Sequence, residues 1–252
     1  MEFKFGKLDP KPHKNTLFFA DFLKPKTELE PPPPKKAWEY NPQILASGWG
    51  MYANDMCGDC TIASKAHIIM AVTANTGHIV IPPIGDVTSL YSHLTGYDPN
   101  TGANDTGLAM TDVYDYWLKN PIFGQKLLGW VQIDHRNREH FMQCIDLFGA
   151  CDTGVQLPKS AWDQAQANQS WDVVPNDGGI LGGHCVPYLG YGSEGETCIT
   201  WGKKVPCGIP WFQKYCDEGY GLILDGWFDT AGKNPDGFDR DALWSALQAV
   251  KV

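Results

Sequence analysis

Apolar positions in the first half of the chain recur with the period of a helix. In "GDCTIASKAHIIMAVTANTG", Ile62, Ala63, Ala66, Ile69, Met70 and Thr73 fall three and four apart, and Gly77 can stop what they start. The spacing predicts a long helix beginning close to Cys60. "GLAMTDVYDYWLKN" (107–120) repeats the signal with Met110, Val113, Tyr114 and Trp117 after the turn-rich "GYDPNTGANDT", and "HRNREHFMQCIDLFG" is a third helical candidate. Beyond it the pattern changes: "CDTGVQLP", "HCVPYLGYG", "TCITWG" and "GYGLILDGWF" are short aromatic or β-branched runs bounded by Gly and Pro, which predicts sheet. "DRDALWSALQAV" sets Leu243, Leu247 and Val250 on one face behind an Asp cap and predicts a terminal helix. The chain therefore divides into a helical lobe over about 50–140 and a β-rich lobe over about 150–252. That is an α+β fold whose inter-lobe cleft is the default ligand site.

Residues 1–35 follow neither period. "TLFFADFL" can be one helical turn or a strand, and the four prolines of "EPPPPKK" can enter neither a helix nor a central strand, so they form a polyproline II stretch. We expect an extended arm strapped onto a domain covering 36–252.

Composition narrows the function. With 252 residues, 43% of them apolar, the chain can bury a large core and still hold a cleft. Its 10 Trp read as core and cleft packing, and its 27 Gly and 18 Pro as many turns. The net charge of −9 has no basic face to set against it: "KPKTELEPPPPKK" mixes signs and "DHRNREH" is interrupted by acids, so no nucleic acid partner is expected. No run approaches the roughly 18 apolar residues of a membrane span, and "MEFKFGKLDPKPHK" lacks the apolar core of a secretion signal. The expectation is a soluble, cytoplasmic protein without a membrane partner. The 8 cysteines read mainly as buried small hydrophobes.

Two of those cysteines stand three apart in "NDMCGDCTIASKAH" (54–67). A zinc knuckle needs a second pair, and Cys144, Cys151, Cys185, Cys198, Cys207 and Cys216 are all singly placed. A redox pair needs a βαβ setting that the following residues do not supply. The remaining chemistry is nucleophilic. Cys60 opens a helix, whose positive end favours thiolate, and Gly58 leaves backbone N–H groups open to an oxyanion. His67 lies seven residues along that helix, roughly 10 Å at about 1.5 Å per residue, too far to serve as base. His184, opening a strand after two glycines in "GGHCVPYLGYG", is the better candidate.

In this arrangement the chain resembles the papain-like cysteine peptidases. "NDMCGDCT" has the spacing of that family's nucleophile motif, with Asn54 in place of the oxyanion-hole glutamine, Cys57 and Gly58 retained, Cys60 as nucleophile and Thr61 where tryptophan is usual. "NDTGLAMTDVYDYWLKNPIFG" is similar to the family's cleft wall, which implies Thr106 and Gly107 beside the substrate backbone. "HCVPYLGYG" matches the histidine strand, with Gly183 ahead of it. "ITWGKKVPCGIPWFQKYCDEGYGLI" matches the closing element, with Trp201 and Gly202 aligned. Two positions depart from the pattern. Ile199 stands where an asparagine orients the histidine, and a one-residue slip along the strand would offer Thr200 instead. Cys57 lacks a nearby partner for the family's local disulfide and reads as a free, buried thiol. A narrower resemblance is to uncharacterised bacterial and tailed-phage proteins with a "GNDxxGDC…H…TWG" pattern, seen here as "ANDMCGDC", "TWG" and "YCDEGY".

The resemblance implies a cysteine hydrolase, a peptidase or amidase working without cofactor or metal on a peptide or amide substrate. Cys60 would be nucleophile, His184 base, Asn54 oxyanion donor and Thr200 the group that orients His184. Gly58, Thr106, Gly107, Gly183 and Trp201 would line the substrate. The alternative is a non-catalytic papain-fold structural or adsorption protein, of a phage particle for instance, that assembles through its N-terminal arm.

Overall fold

Helix α2 (Cys60–Asn75) runs through the centre of the molecule, and every residue from Cys60 to Ala74 is buried. The computed structural model describes residues 4–13, 17–19 and 31–241. What the periodicity marks as one apolar face is a helix covered on all sides, so each of its polar side chains needs an internal partner. Thr73 Oγ1 donates to the Ile69 carbonyl at 2.6 Å. Lys65 pairs with Asp152, which also accepts hydrogen bonds from Ser64 and from Tyr114 at 2.7 Å. The helix ends at Thr76, followed by Gly77 at φ +96°.

Helices α1 (Pro42–Ser47), α3 (Ile84–Thr95) and α4 (Met110–Trp117) pack on α2. Helix α1 is capped by Asn41, whose side chain accepts from Gln43 N–H and donates to the Ala74 carbonyl at the end of α2. Strand β4 (Ile180–Tyr191) also packs on α2. It belongs to a seven-stranded antiparallel sheet, ordered β2 (Leu127–Gln132), β7 (Cys216–Leu224), β3 (Cys151–Pro158), β4, β5 (Glu196–Thr200) and β6 (Lys203–Cys207). Strand β1 (Lys36–Ala37) joins the edge of β4 at Gly190 and Tyr191, past the end of β3.

The α+β architecture agrees with the periodicity, and the third helical candidate is α5 (Arg138–Phe148), capped by Asn137. The elements interleave within the expected lobes: strand β2 lies inside the stretch expected to be helical, while α6 (Lys159–Gln166) and α7 (Ile209–Tyr215) lie inside the stretch expected to be β-rich. These helices are short and amphipathic, and their few apolar residues also satisfy a strand reading. The expected terminal helix lies, beyond Asp241, outside the described residues.

The N-terminal arm lies on the domain at several points. Phe18 bridges to Gln132 of β2, and Phe19 is buried against Phe148 and His140. The largest departure from a surface strap is at residues 4–8, which enter the cleft. Among the described residues no helix is long and apolar enough to cross a membrane.

Candidate active site

Cys60 is the first residue of α2, where first-turn N–H groups have no acceptor within the helix. Its N-cap, Asp59, makes no side-chain capping bond. The thiol is 1% exposed, and burial pushes it up to about 11 against hydrogen bonding from the backbone of Cys185 and Gly6 and the nearby charge of Lys65. The thiolate expected at a helix start is therefore not favoured in this state, because desolvation outweighs the helix terminus.

His184 stands on β4, one residue before the backbone that touches the Cys60 sulfur. Its Nε2 lies 2.7 Å from Thr200 Oγ1, and Trp201 stacks on the ring at 4.9 Å with 15° between planes. Nδ1 is buried without a hydrogen-bond partner among the described residues, and burial pushes the imidazole down to about 3. In the tautomer that carries hydrogen on Nε2, that nitrogen donates to Thr200 and Nδ1 keeps its lone pair. The β5–β6 hairpin explains why threonine is the partner. Thr200 pairs with Lys203 across a two-residue turn in which Trp201 and Gly202 both have positive φ, 48° and 72°. Alternation along β5 then sends Ile199, 1% exposed, into the core and Thr200 to the histidine.

The opposite wall is tied together by Asp105. Its Oδ1 accepts from Gly58 N–H at 2.8 Å and from Tyr91 OH at 2.7 Å, and the same Tyr91 oxygen accepts from Gly107 N–H at 2.9 Å. Burial works against the Asp105 carboxylate, but hydrogen bonds from Lys4, Gly58 and Tyr91 hold it below the usual range. Asn54 is buried beside the motif, and its Nδ2 donates to Asp59 Oδ1 at 3.1 Å. One amide hydrogen of Asn54 is thus engaged by Asp59 within the wall.

The cleft is occupied by the chain itself. Leu108 N–H donates to the Gly6 carbonyl at 2.7 Å, Leu8 N–H to the Leu108 carbonyl at 3.0 Å, and Lys7 N–H to the Gly183 carbonyl at 3.1 Å. The arm therefore runs parallel to the Gly107–Leu108 wall. Phe5 meets the His184 ring edge-on at 6.0 Å, and Gly6 lies against the Cys60 sulfur. The fit depends on glycine from both sides: a Cβ on Gly6 would come within 1.6 Å of the Gly58 carbonyl oxygen, and one on Gly107, whose φ is +70°, within 2.2 Å of the Gly6 oxygen.

His184, Thr200 and Trp201 thus come together, Cys60 lies beneath Gly6 and the Cys185 backbone next to His184 in sequence, and Gly58, Gly107 and Gly183 all touch the arm. Thr106 does not: it is exposed, and the backbone of Leu108 makes the contact expected of it. His67 stands apart, bonded through Nε2 to the carbonyls of Trp49 and Gly50. All eight cysteines are free and buried, Cys57 included, and the described residues hold no cluster of His, Cys, Asp and Glu suited to a metal. Residues 4–8 have no signal in their own sequence, since every partner lies about a hundred residues or more away or in the motif itself. The acidic pair Asp217 and Glu218, which meets Lys7, was visible only as part of "YCDEGY".

No family model matches the sequence, and no curated protein matches it. Solved structures do. Xylellain, a cysteine protease from Xylella fastidiosa, matches at 13% identity over 88% of this chain and 96% of that one, with a TM-score of 0.50. The proCathepsin B S9 from Trypanosoma congolense matches at 11% identity over 88% and 86%, with a TM-score of 0.56. Procathepsin L 3 of the Tenebrio molitor larval midgut matches at 13% identity over 79% and 72%, with a TM-score of 0.55. The likeness is one of architecture: the chain has the fold of the papain-like cysteine proteases, a helical lobe and an antiparallel sheet lobe.

Proposed function

We propose that this chain is a cysteine hydrolase acting on peptide or amide bonds, held in an occluded form by its own residues 4–8. The observation that carries the reading is the His184–Thr200 hydrogen bond at 2.7 Å, which engages Nε2 and leaves Nδ1 as the nitrogen without a hydrogen-bond partner among the described residues. When the arm leaves, water returns to the cleft, and the desolvation that holds the thiol up and the imidazole down is relieved. His184 Nδ1 takes the Cys60 proton, and the thiolate attacks the substrate carbonyl. The oxyanion is held by the Cys60 N–H and the second amide hydrogen of Asn54. Collapse expels the amine, which receives the proton from the imidazolium, and water then hydrolyses the thioester with His184 as base.

A second reading is favoured by one observation, the burial of a protonated thiol beneath Gly6. In it the arm is a permanent part of the fold, and the chain is a non-catalytic scaffold of the structural or adsorption kind. Hydrolysis assays separate the two. A mixed fluorogenic peptide library is offered to the wild-type chain and to a Gly6→Ala variant, in which the clash with Gly58 displaces the arm. The hydrolase reading expects turnover in Gly6→Ala that vanishes when Cys60→Ala or His184→Ala is added. A folded, arm-displaced chain without turnover would support the scaffold.

A further inference from the structure

The Lys7 side chain leaves the arm backbone beside Gly183 and is wholly buried. Its Nζ lies 2.9 Å from Asp217 Oδ2 and 3.0 Å from Glu218 Oε1. Gln156 Nε2 donates to the same Asp217 oxygen at 2.7 Å, and Tyr220 OH to Glu218 Oε2 at 2.8 Å, so both carboxylates are aimed and held. Glycine 154 makes the space, since a Cβ there would come within 2.1 Å of Lys7 Cε.

We propose that this pocket selects a basic side chain, that of lysine or arginine, from a peptide entering the cleft. The proposal rests on the reading of the cleft as a hydrolase site and names the substrate class of that site. Lys7 is one residue from Gly6, which covers the Cys60 sulfur, so a peptide on the same path places a side chain in this pocket next to the reacting bond. When the arm leaves, Asp217 and Glu218 remain as two carboxylates in one pocket, which the side chain of an incoming peptide closes off from water again. A neutral occupant would leave both carboxylates unpaired, while an ammonium or guanidinium restores what Lys7 supplied. Burial alone would push the Lys7 ammonium down, yet the charges of Glu218 and Asp217 raise it, so the pocket favours the charged form of its occupant.

The test uses the full chain carrying Lys7→Glu, which the two carboxylates repel, together with Cys60→Ala. Gly6→Ala with Cys60→Ala is a second background that opens the cleft without touching the pocket. Fluorescent peptides with the sequence of residues 4–9 carry lysine, arginine, norleucine or glutamate at the position of Lys7, and binding is read by anisotropy. The lysine or arginine peptide should bind about tenfold or more tighter than the norleucine peptide, because a site built for a charged donor rejects an analogue lacking it. Glu218→Gln should erase that preference. Equal binding of lysine and norleucine peptides, or no binding in either background, overturns the proposal. Because Cys60 is absent, the result does not depend on catalysis. Selective binding by a chain whose Cys60 form cleaves nothing refutes the hydrolase reading alone, and cleavage indifferent to lysine refutes the pocket alone.

Discussion

His184 Nε2 and Thr200 Oγ1 lie 2.7 Å apart, so a threonine hydroxyl orients the imidazole where the preceding Ile199 points into the core. Thr200→Val keeps the shape and removes the hydroxyl, leaving Nε2 buried and unpaired. We expect the thiol reactivity of Cys60, in the arm-displaced Gly6→Ala background, to fall by about tenfold or more, with Thr200→Ser restoring most of it. Ile199→Val should lower thermal stability slightly and leave reactivity alone. Equal reactivity in Thr200→Val and its parent would remove threonine from the site.

The arm controls access to the sulfur. Gly6→Ala, whose Cβ would meet the Gly58 carbonyl oxygen at 1.6 Å, should raise the rate at which iodoacetamide labels Cys60 while the far-UV circular dichroism stays unchanged. Lys7→Glu should do the same by charge repulsion against Asp217 and Glu218. Mass spectrometry of the labelled peptide identifies the site. If Cys60 labels at one rate in wild type and both variants, the arm does not close the cleft.

Buried neutral histidine makes the fold acid-sensitive. Burial pushes His67 down to about 4 from an ordinary value of 6.5, against hydrogen bonds to the Gly50 and Trp49 carbonyls. Between pH 6.5 and 4 the unfolded chain binds a proton that the folded chain refuses, so this contribution is present above pH 6.5 and lost as pH falls. Its full size is about 3 kcal/mol. Glu196, pushed up to about 7 by burial, has the opposite sign, so the wild-type slope is a sum. His67→Gln, which still donates to a carbonyl, should flatten the fall in urea midpoint across that window relative to wild type. Parallel pH curves for the two chains would contradict the assignment.

Beneath the site, Lys65 and Asp152 form a fully buried pair, with Ser64 and Tyr114 on the same carboxylate. Lys65→Met leaves that carboxylate uncompensated and should cost about 3–5 kcal/mol in denaturant unfolding. Adding Asp152→Asn removes the orphaned charge and should recover a large part of the loss. A double variant no more stable than Lys65→Met would mean that packing, not charge, sets the cost.

How much of this was legible in the sequence depends on the distance over which each feature acts. The start of α2 at Cys60 could be read because glycine, turn residues and an apolar period meet there within ten residues. Helix α3 could not: of its side chains only Val87 and Tyr91 are buried, too sparse a stripe to stand out between two prolines and the left-handed Gly96. His184 was found from the glycines before it, and Thr200 from strand alternation. The engagement of Asn54 by Asp59 and the proton retained on Cys60 both follow from burial, which no local pattern announces. The seating of Gly6 and Lys7 arises between residues about fifty to two hundred positions apart.

The central claim is that His184 activates Cys60 once the arm has left. It is tested most directly by the pH dependence of iodoacetamide labelling at Cys60 in the Gly6→Ala chain, with and without His184→Ala. The account predicts labelling near neutral pH that follows a thiolate formed well below the value of about 11 in the occluded state, and that drops by about a hundredfold or more without the imidazole. A labelling curve that rises only at strongly alkaline pH, and is the same with alanine at 184, would contradict it.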